Sequence, residues 1–164
     1  MQQTAQHLPN PDVIQHVMVV DDSRLQRRIL SSMLTRWGFR VTEAEDAYQA
    51  LDLCQKDLPD LVFSDWMMPG LTGLEFCQKF RQLCPDHYSY FILLTSKSEK
   101  NDIARGLDAG ADDFLAKPVN AHELRARISA GERILSMERE LQSRNAMITD
   151  TLSELQKLYH AIDN

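Results

Sequence analysis

The sequence predicts an α/β fold, an open and doubly wound parallel sheet, and two observations lead to this prediction. Five short apolar runs alternate along the chain with segments whose apolar residues recur every three or four positions. Such alternation is typical of βα units, whose right-handed crossovers place helices on both faces of a parallel sheet. The length of 164 residues suits one such domain with a modest extension, and favours an open sheet over a closed barrel.

Each element has its own local signal. The apolar runs predict strands at 17–20, 39–43, 61–64, 90–94 and 113–116. The first helix is predicted from four residues at helical spacing, Leu25, Ile29, Met33 and Trp37, and Gly38 ends it. Further helices are expected around 47–54, at 73–83 and around 103–107. A fifth begins near Ala121, with Leu124 and Ile128 facing the sheet.

Composition excludes several classes of protein. The net charge of −6 and the lack of a Lys/Arg cluster argue against direct contact with nucleic acid. The three cysteines, Cys54, Cys77 and Cys84, lack the spacing of a zinc site and are interpreted as reduced, small apolar residues. The apolar runs are too short for a membrane span, and no signal-peptide pattern opens the chain. We therefore expect a cytoplasmic protein.

The chain divides into three predicted parts. Residues 1–15 are Gln-rich, contain Pro9 and Pro11, and are expected to be a disordered lead-in. Residues 16–130 form the α/β domain. Residues 131–164 form a helical stalk, which extends roughly 45 Å from Ile134 to Ile162. Since the last stretch ends within a helical pattern without a C-cap, a piece of a longer protein is favoured.

The stalk carries a repeated apolar position. The residues that fall seven apart form the predicted seam, Ile134, Leu141, Ile148, Leu155 and Ile162. The companion positions are weaker, because Met137 and Leu158 fit, Arg144 and Thr151 do not, and Leu152 lies one place off. A parallel two-stranded coiled coil between two copies is favoured over packing of the stalk back onto the domain.

Polar side chains follow the predicted strands. Asp21 and Asp22 follow the first strand, Asp65 the third, Thr95 the fourth and Lys117 the fifth. Each has a simpler local explanation, as a helix cap, a turn acid or the opening of a loop. Because parallel strands end at the same edge of a sheet, however, these five side chains are expected to lie together. We call this edge the rim.

The rim residues suit phosphoryl chemistry. Neighbouring carboxylates raise one another's pKa unless a cation is present, and Mg²⁺ fits best because the rim offers oxygen ligands. Asp65 would then be a nucleophile that attacks phosphorus, with Lys117 and Thr95 orienting the phosphoryl oxygens. The five histidines form no cluster, so a phosphohistidine donor must belong to another protein.

An ordered set of motifs over about residues 16–130 resembles the receiver domain of bacterial two-component response regulators. The set consists of Asp21-Asp22, Asp65-x-x-Met68-Pro69-x-x-x-Gly73, Thr95-Ser96, Gly110-Ala111-Asp112-Asp113-Phe114 and Lys117-Pro118. The resemblance implies a flavodoxin-like sheet of order 2-1-3-4-5 and Asp65 as the phosphoacceptor. It also implies Thr95 and Phe114 as a switch pair and a cis peptide at Lys117-Pro118.

The resemblance further implies how Mg²⁺ is held. Asp22, Asp65 and the main-chain carbonyl of Met67 would be ligands, and Asp21 would act mainly through water. Met67 and Lys97 lie two residues after Asp65 and Thr95, where family members flank the approach of water to the acyl phosphate. Their bulk and charge predict slow self-dephosphorylation.

The predicted function is that of a signalling domain and not of an enzyme. It would accept a phosphoryl group from a sensor histidine kinase or phosphotransfer protein and alter the pairing of two stalks. Residues 155–163 resemble linkers that precede diguanylate cyclases or metal-dependent serine phosphatases, so such an output domain would lie outside this chain. Two alternatives stay open: a receiver-like scaffold that works without phosphorylation, and a Mg²⁺-dependent phosphatase with an aspartate nucleophile. The phosphatase would normally place a second acid where this chain has Met67.

Overall fold

A computed structural model describes residues 13–96 and 103–162, apart from the side chain of Ile103. Five parallel strands form one sheet in the order β2-β1-β3-β4-β5, with helices on both faces, which confirms the predicted flavodoxin-like fold. The elements in chain order are β1 (His16–Val20), α1 (Arg24–Arg36), β2 (Arg40–Ala44), α2 (Ala47–Cys54), β3 (Leu61–Asp65), α3 (Gly73–Leu83), β4 (Tyr90–Thr95), α4 (Ile103–Asp108), β5 (Asp113–Ala116) and α5 (Ala121–Ile162). Each predicted strand is present, with ends that differ by at most one residue.

The register of the sheet creates the rim. Asp65, the last residue of β3, pairs with Leu94 of β4, and Thr95, the last residue of β4, pairs with Ala116 of β5. All neighbouring strands are parallel, so their carboxyl ends reach the same edge. Side chains that follow different strands are thereby brought together from distant parts of the sequence.

Two apolar cores cover the faces of the sheet. Successive strand residues point to opposite faces, so Met18 and Val20 enter one core and Val17 and Val19 the other. The first core packs against α2 and α3, and it contains Cys54 and Cys77 as free thiols. The second core packs against α1 and α5. Between these two layers the strands β1, β3 and β4 are wholly buried, which fixes the strand ends in place.

Helix α1 is present as predicted, and its buried face coincides only in part with the apolar row that predicted it, because Met33 and Trp37 pack against the second core while Leu25 and Ile29 do not. Leu25 and Ile29, which helped to predict it, are 71% and 54% exposed, whereas Leu30 and Leu34 are buried with the polar residues Arg27 and Ser31. Arg27 is buried because its guanidinium donates to the main-chain carbonyl of Asp21 (2.8 Å). The buried side of α1 therefore contains polar residues, so it does not stand out in the sequence as an apolar row.

Helix α5 runs back along the sheet to its amino edge. Asn120 caps its start by accepting hydrogen bonds from the main-chain N–H groups of His122 (2.8 Å) and Glu123 (3.2 Å). Leu124 and Ile128 are buried as predicted. Gly131 lets the helix approach β4 closely, since a Cβ atom there would lie 2.8 Å from the ring of Tyr90. The helix stays packed on the domain through Leu135, beyond the expected division at residue 130.

Arg139 fixes helix α5 to the amino edge of the sheet. Its guanidinium binds the carboxylate of Asp60 (2.7 Å), just before β3, and the main-chain carbonyl of Val13 (2.5 Å), just before β1. Gln142 donates to the carbonyl of Asp86 (3.0 Å). Every residue from Glu140 to Ile162 is exposed, so the stalk leaves the domain here.

Ile14 and Gln15, which precede β1, both contact the domain. Ile14 is 1% exposed, and the main-chain N–H of Gln15 donates to Asp60 (2.9 Å). Ile14 therefore belongs to the second core, and residues 1–12 of the predicted lead-in lie outside the described ranges. Among the helices of residues 13–96 and 103–162, none is both long and apolar enough to span a bilayer.

Candidate functional site

Three carboxylates meet at the rim. Asp21 and Asp22 follow β1, and Asp65 ends β3; each offers a carboxylate oxygen, and these atoms lie within 4.8 Å of one another. Asp21 and Asp65 are buried, and Asp22 is exposed to solvent. The cluster that the sequence predicted is therefore present, with one member open to the outside.

Lys117 supplies the positive charge of the site. Its Nζ lies 2.9 Å from Asp65 Oδ1 and 3.4 Å from Asp21 Oδ2, and it donates to the side-chain carbonyl of Gln26 (3.0 Å). The main-chain N–H of Lys117 bonds the carbonyl of Thr95 (2.8 Å), and the Lys117-Pro118 peptide is cis. Gln26 was missed by the sequence reasoning, because a glutamine in the first turn of a helix carries no special pattern.

Asp21 has a local role as well as a place in the cluster. Its carboxylate accepts from the main-chain N–H of Ser23 (2.9 Å), and Ser23 in turn caps α1 by accepting from the N–H of Gln26 (3.4 Å). Asp21 therefore both supports the cap of α1 and belongs to the carboxylate cluster. Capping fixes the direction in which the loop after β1 presents its two carboxylates.

Burial and charge act against each other at Asp65. Burial raises the pKa of the Asp65 carboxyl from 3.8 to about 6; the hydrogen bond and charge of Lys117 oppose that rise, and Asp21 and Asp22 add to it. Three carboxylates face one ammonium group, so the ionised site carries an excess of negative charge. Oxygen ligands and such an excess are what a hard divalent cation needs, and the residues thus fit Mg²⁺.

The loop after Asp65 exposes Met67, Pro69 and Gly70 to solvent. The side chain of Met67 is 60% exposed, whereas its neighbours Trp66 and Met68 are buried. A long apolar side chain therefore stands beside the acidic cluster. Lys97, the other residue expected to flank the site, lies outside the described residues.

Thr95 and Phe114 lie on neighbouring strands. Thr95 is 4% exposed at the end of β4. The ring of Phe114 lies 6.1 Å from that of Trp66, centroid to centroid, and against Gly106 of α4, where a Cβ atom would come within 2.7 Å of the ring. Phe114 is thus packed against the residue next to Asp65. Trp66 and Gly106 were missed, because each reads as an ordinary loop or helix residue.

The raised pKa of Asp65 gives a prediction for the chain without metal. A carboxyl group whose pKa is higher in the folded state loses stabilising free energy as pH rises from about 4 through about 6. Asp65→Asn should therefore increase the free energy of unfolding near pH 8, by up to about 3 kcal/mol, and increase it less near pH 4.5. Urea titrations in EDTA at the two pH values measure this difference.

Asp52→Asn, at an exposed position of α2, is the matched control and should show no such pH-dependent gain. Equal effects of Asp65→Asn at both pH values would contradict the account of burial and repulsion given above.

A family model described as "Response regulator receiver domain" matches residues 17–129. The chain is 37% identical over 120 residues to the phosphate regulon transcriptional regulatory protein PhoB of Klebsiella pneumoniae, a match that covers 73% of this chain and 52% of PhoB. It is 43% identical over 114 residues to the response regulator MprA of Mycolicibacterium vanbaalenii, covering 70% and 48%. The chain thus spans about half the length of these curated relatives.

Among solved structures, a probable two-component system response regulator/GGDEF domain protein superposes with a TM-score of 0.68 at 30% identity. The match covers 74% of this chain and 50% of that one. The family match reaches from β1 into α5 and includes all five rim residues, Asp21, Asp22, Asp65, Thr95 and Lys117. The chain belongs to the response regulators and carries their receiver domain.

Proposed function

We propose that the domain is a phosphoacceptor in a two-component phosphorelay. Asp65 would take a phosphoryl group from a phosphohistidine of a sensor histidine kinase or phosphotransfer protein. The observation that carries the proposal is the contact between Lys117 Nζ and Asp65 Oδ1 at 2.9 Å within a cluster of three carboxylates. A nucleophilic oxygen, a positive charge beside it and an open acidic edge are the parts that this reaction requires.

The transfer is a displacement at phosphorus. A carboxylate oxygen of Asp65 forms the new O–P bond, the N–P bond of the donor breaks, and the electron pair leaves with the donor imidazole. Lys117, which already contacts Asp65 Oδ1, would stabilise the negative charge on the phosphoryl oxygens. Asp22, Asp65 and the Met67 carbonyl would hold Mg²⁺, with Asp21 assisting mainly through water. Bound there, the ion supplies the positive charge that neutralises those oxygens.

The proposed switch joins Thr95 to Phe114. A doubly charged phosphoryl group on Asp65 would draw the Thr95 hydroxyl toward it, and the space thereby vacated would be available to the Phe114 ring. Phe114 contacts both Trp66 and α4, so a movement of its ring changes the surface formed by α4, β5 and α5. Because α5 continues into the stalk, this surface connects the site to the stalk.

The output is proposed to reside in a second domain that the stalk controls. Two copies would pair through the apolar row of the stalk, whose members are exposed on the single chain. The similar response regulator/GGDEF domain protein supports an output of the diguanylate cyclase type, the class to which GGDEF domains belong, and a serine phosphatase is the other candidate. We propose a cytoplasmic protein that makes no direct contact with nucleic acid through this domain.

Two other functions receive less support. An aspartate-nucleophile phosphatase would place a general acid at the position of Met67, whose thioether cannot donate a proton. A scaffold that works without phosphorylation would have no use for the contact between Lys117 and Asp65. The full set of rim residues therefore favours the phosphoacceptor.

Phosphorylation can be tested directly. Incubation with acetyl phosphate and Mg²⁺ should add one phosphoryl group to the chain, seen by intact-mass spectrometry as an adduct that base or hydroxylamine removes. Asp65→Asn should abolish the adduct, and Asp52→Asn should leave it unchanged. Failure of the parent chain to gain any labile adduct from several donors would refute the proposal.

The lifetime of the phosphoryl group should depend on Met67. Met67→Asn should speed the loss of phosphate by roughly five- to tenfold, because an amide can orient the attacking water whereas the thioether obstructs it. Met67→Leu keeps the bulk and apolar character and should leave the rate nearly unchanged. Release of phosphate from the phosphorylated chain measures both rates; an unchanged lifetime in the Asn variant would count against this role.

The stalk should pair two copies. Leu155→Glu places a charge in the proposed seam and should convert dimers to monomers in light scattering. Ser153→Glu, on the opposite side of the helix by its spacing, should not. If the chain has the same oligomeric state and the same stalk crosslinks with and without beryllofluoride, the proposed coupling between Asp65 and the stalk is wrong.

A further inference from the structure

The exposed side of the stalk carries three related rows of residues. The shared row consists of Ile134, Leu141, Ile148, Leu155 and Ile162, and its three central members are more than half exposed (53%, 57% and 55%). A continuous apolar row of this kind marks an interaction surface. The seven-residue repeat suits a second copy of the same helix, because two helices that wind around each other keep such a row in contact along their length.

Two different rows compete to complete that seam. The +3 row, three residues after each shared position, consists of Met137, Arg144, Thr151 and Leu158. The +4 row, one place further on, consists of Glu138, Asn145, Leu152 and Tyr159. Each row has two apolar members and two polar ones, so neither completes a continuous heptad seam over the full length of the stalk.

In the first half of the stalk, contacts with the receiver domain determine which row a partner helix can reach. Leu135, Arg139 and Gln142 contact the domain and define the inner side of the helix. At about 100° per residue, Met137 lies roughly 170° from the centre of that side and Glu138 only roughly 70° from it. Glu138 is in fact half-buried against the domain. A partner helix can therefore reach the +3 row here, but not the +4 row.

Beyond Ile148 the preference reverses. The hydroxyl of Thr151 is hydrogen-bonded to the carbonyl of Met147 (2.9 Å), so the +3 row would place a polar side chain in a seam layer. The +4 row offers Leu152 and Tyr159, which are 56% and 72% exposed. Each row offers one leucine in this half, Leu158 in the +3 row and Leu152 in the +4 row. The remaining comparison favours the +4 row, because the ring of Tyr159 can bury more apolar surface than Thr151.

We propose that two copies of the chain pair through a seam that changes rows at Ile148, using the +3 row on the side of the receiver domain and the +4 row beyond. The spacing between successive seam positions is then three, four, three, four, four, three, four and three residues from Ile134 to Ile162, and Arg144 is the polar member of the seam. Two successive spacings of four are a stutter, which locally unwinds a coiled coil. This inference rests on the proposed pairing of stalks and adds where the seam is interrupted.

Crosslinking of single cysteines tests the far half of the seam. In a Cys84→Ser background, Leu152→Cys and Tyr159→Cys should form intermolecular disulfides about fivefold faster than Thr151→Cys and Leu158→Cys, since bond formation needs closely spaced Cβ atoms. Cys54 and Cys77 are buried, and burial raises the pKa of each thiol to about 12, so they should not react. Faster crosslinking at 151 and 158 would mean one continuous heptad and would overturn the proposal.

Further variants test whether the stalks pair at all, separately from whether the seam changes rows at Ile148. Leu155→Cys lies in the shared row and should crosslink rapidly, whereas Ser153→Cys, on the other side of the helix, should not. Met137→Cys should crosslink faster than Glu138→Cys, and the reverse order would also overturn the proposal. If Leu155→Cys fails to crosslink and light scattering gives a single chain, the pairing of stalks fails with it, while phosphorylation of Asp65 is unaffected.

Discussion

The excess of negative charge at the rim is the constraint on which the rest of the structure depends. Carboxylate oxygens of Asp21, Asp22 and Asp65 are held within 4.8 Å of one another, and Lys117 balances part of their charge. Such a cluster opposes folding in the absence of a cation, because burial and like charges both favour protonation of Asp65. The wholly buried central strands and the two cores provide the free energy that keeps the acids together.

Several residues outside the cluster serve to hold its geometry. Arg27 binds the carbonyl of Asp21 from the buried face of α1. At the other side of the domain, Asp112 accepts from the N–H of Phe91 (2.7 Å) and from Arg81 (2.7 Å), and so ties the start of β5 to β4. The Gly110-Ala111-Asp112 motif is therefore structural: it sets the position of β5, and with it the positions of Phe114 and Lys117.

Much of this arrangement could be predicted from the sequence, because its signals are local. Apolar runs gave strands within a residue of their true ends, and polar residues directly after them marked the rim. The buried face of α1 could not be assigned from the sequence, because Arg27 and Ser31 are buried and interrupt the apolar stripe. Gln26, Trp66 and Gly106 could not be found, since each acts through a neighbour that only the folded chain brings near. The burial of Ile14 was not predicted, because Val13 and Ile14 form too short an apolar run to indicate a strand.

The path of α5 has a consequence for how partners are arranged. The helix begins a few residues after Lys117 at the carboxyl edge of the sheet and is latched by Arg139 to Asp60 at the amino edge. It therefore crosses the full depth of the domain before the stalk departs. The proposed phosphoryl donor and a domain attached to the stalk would therefore approach from opposite ends of the receiver domain. Under that proposal both partners could bind at the same time, so the donor would not have to dissociate before the output domain responds.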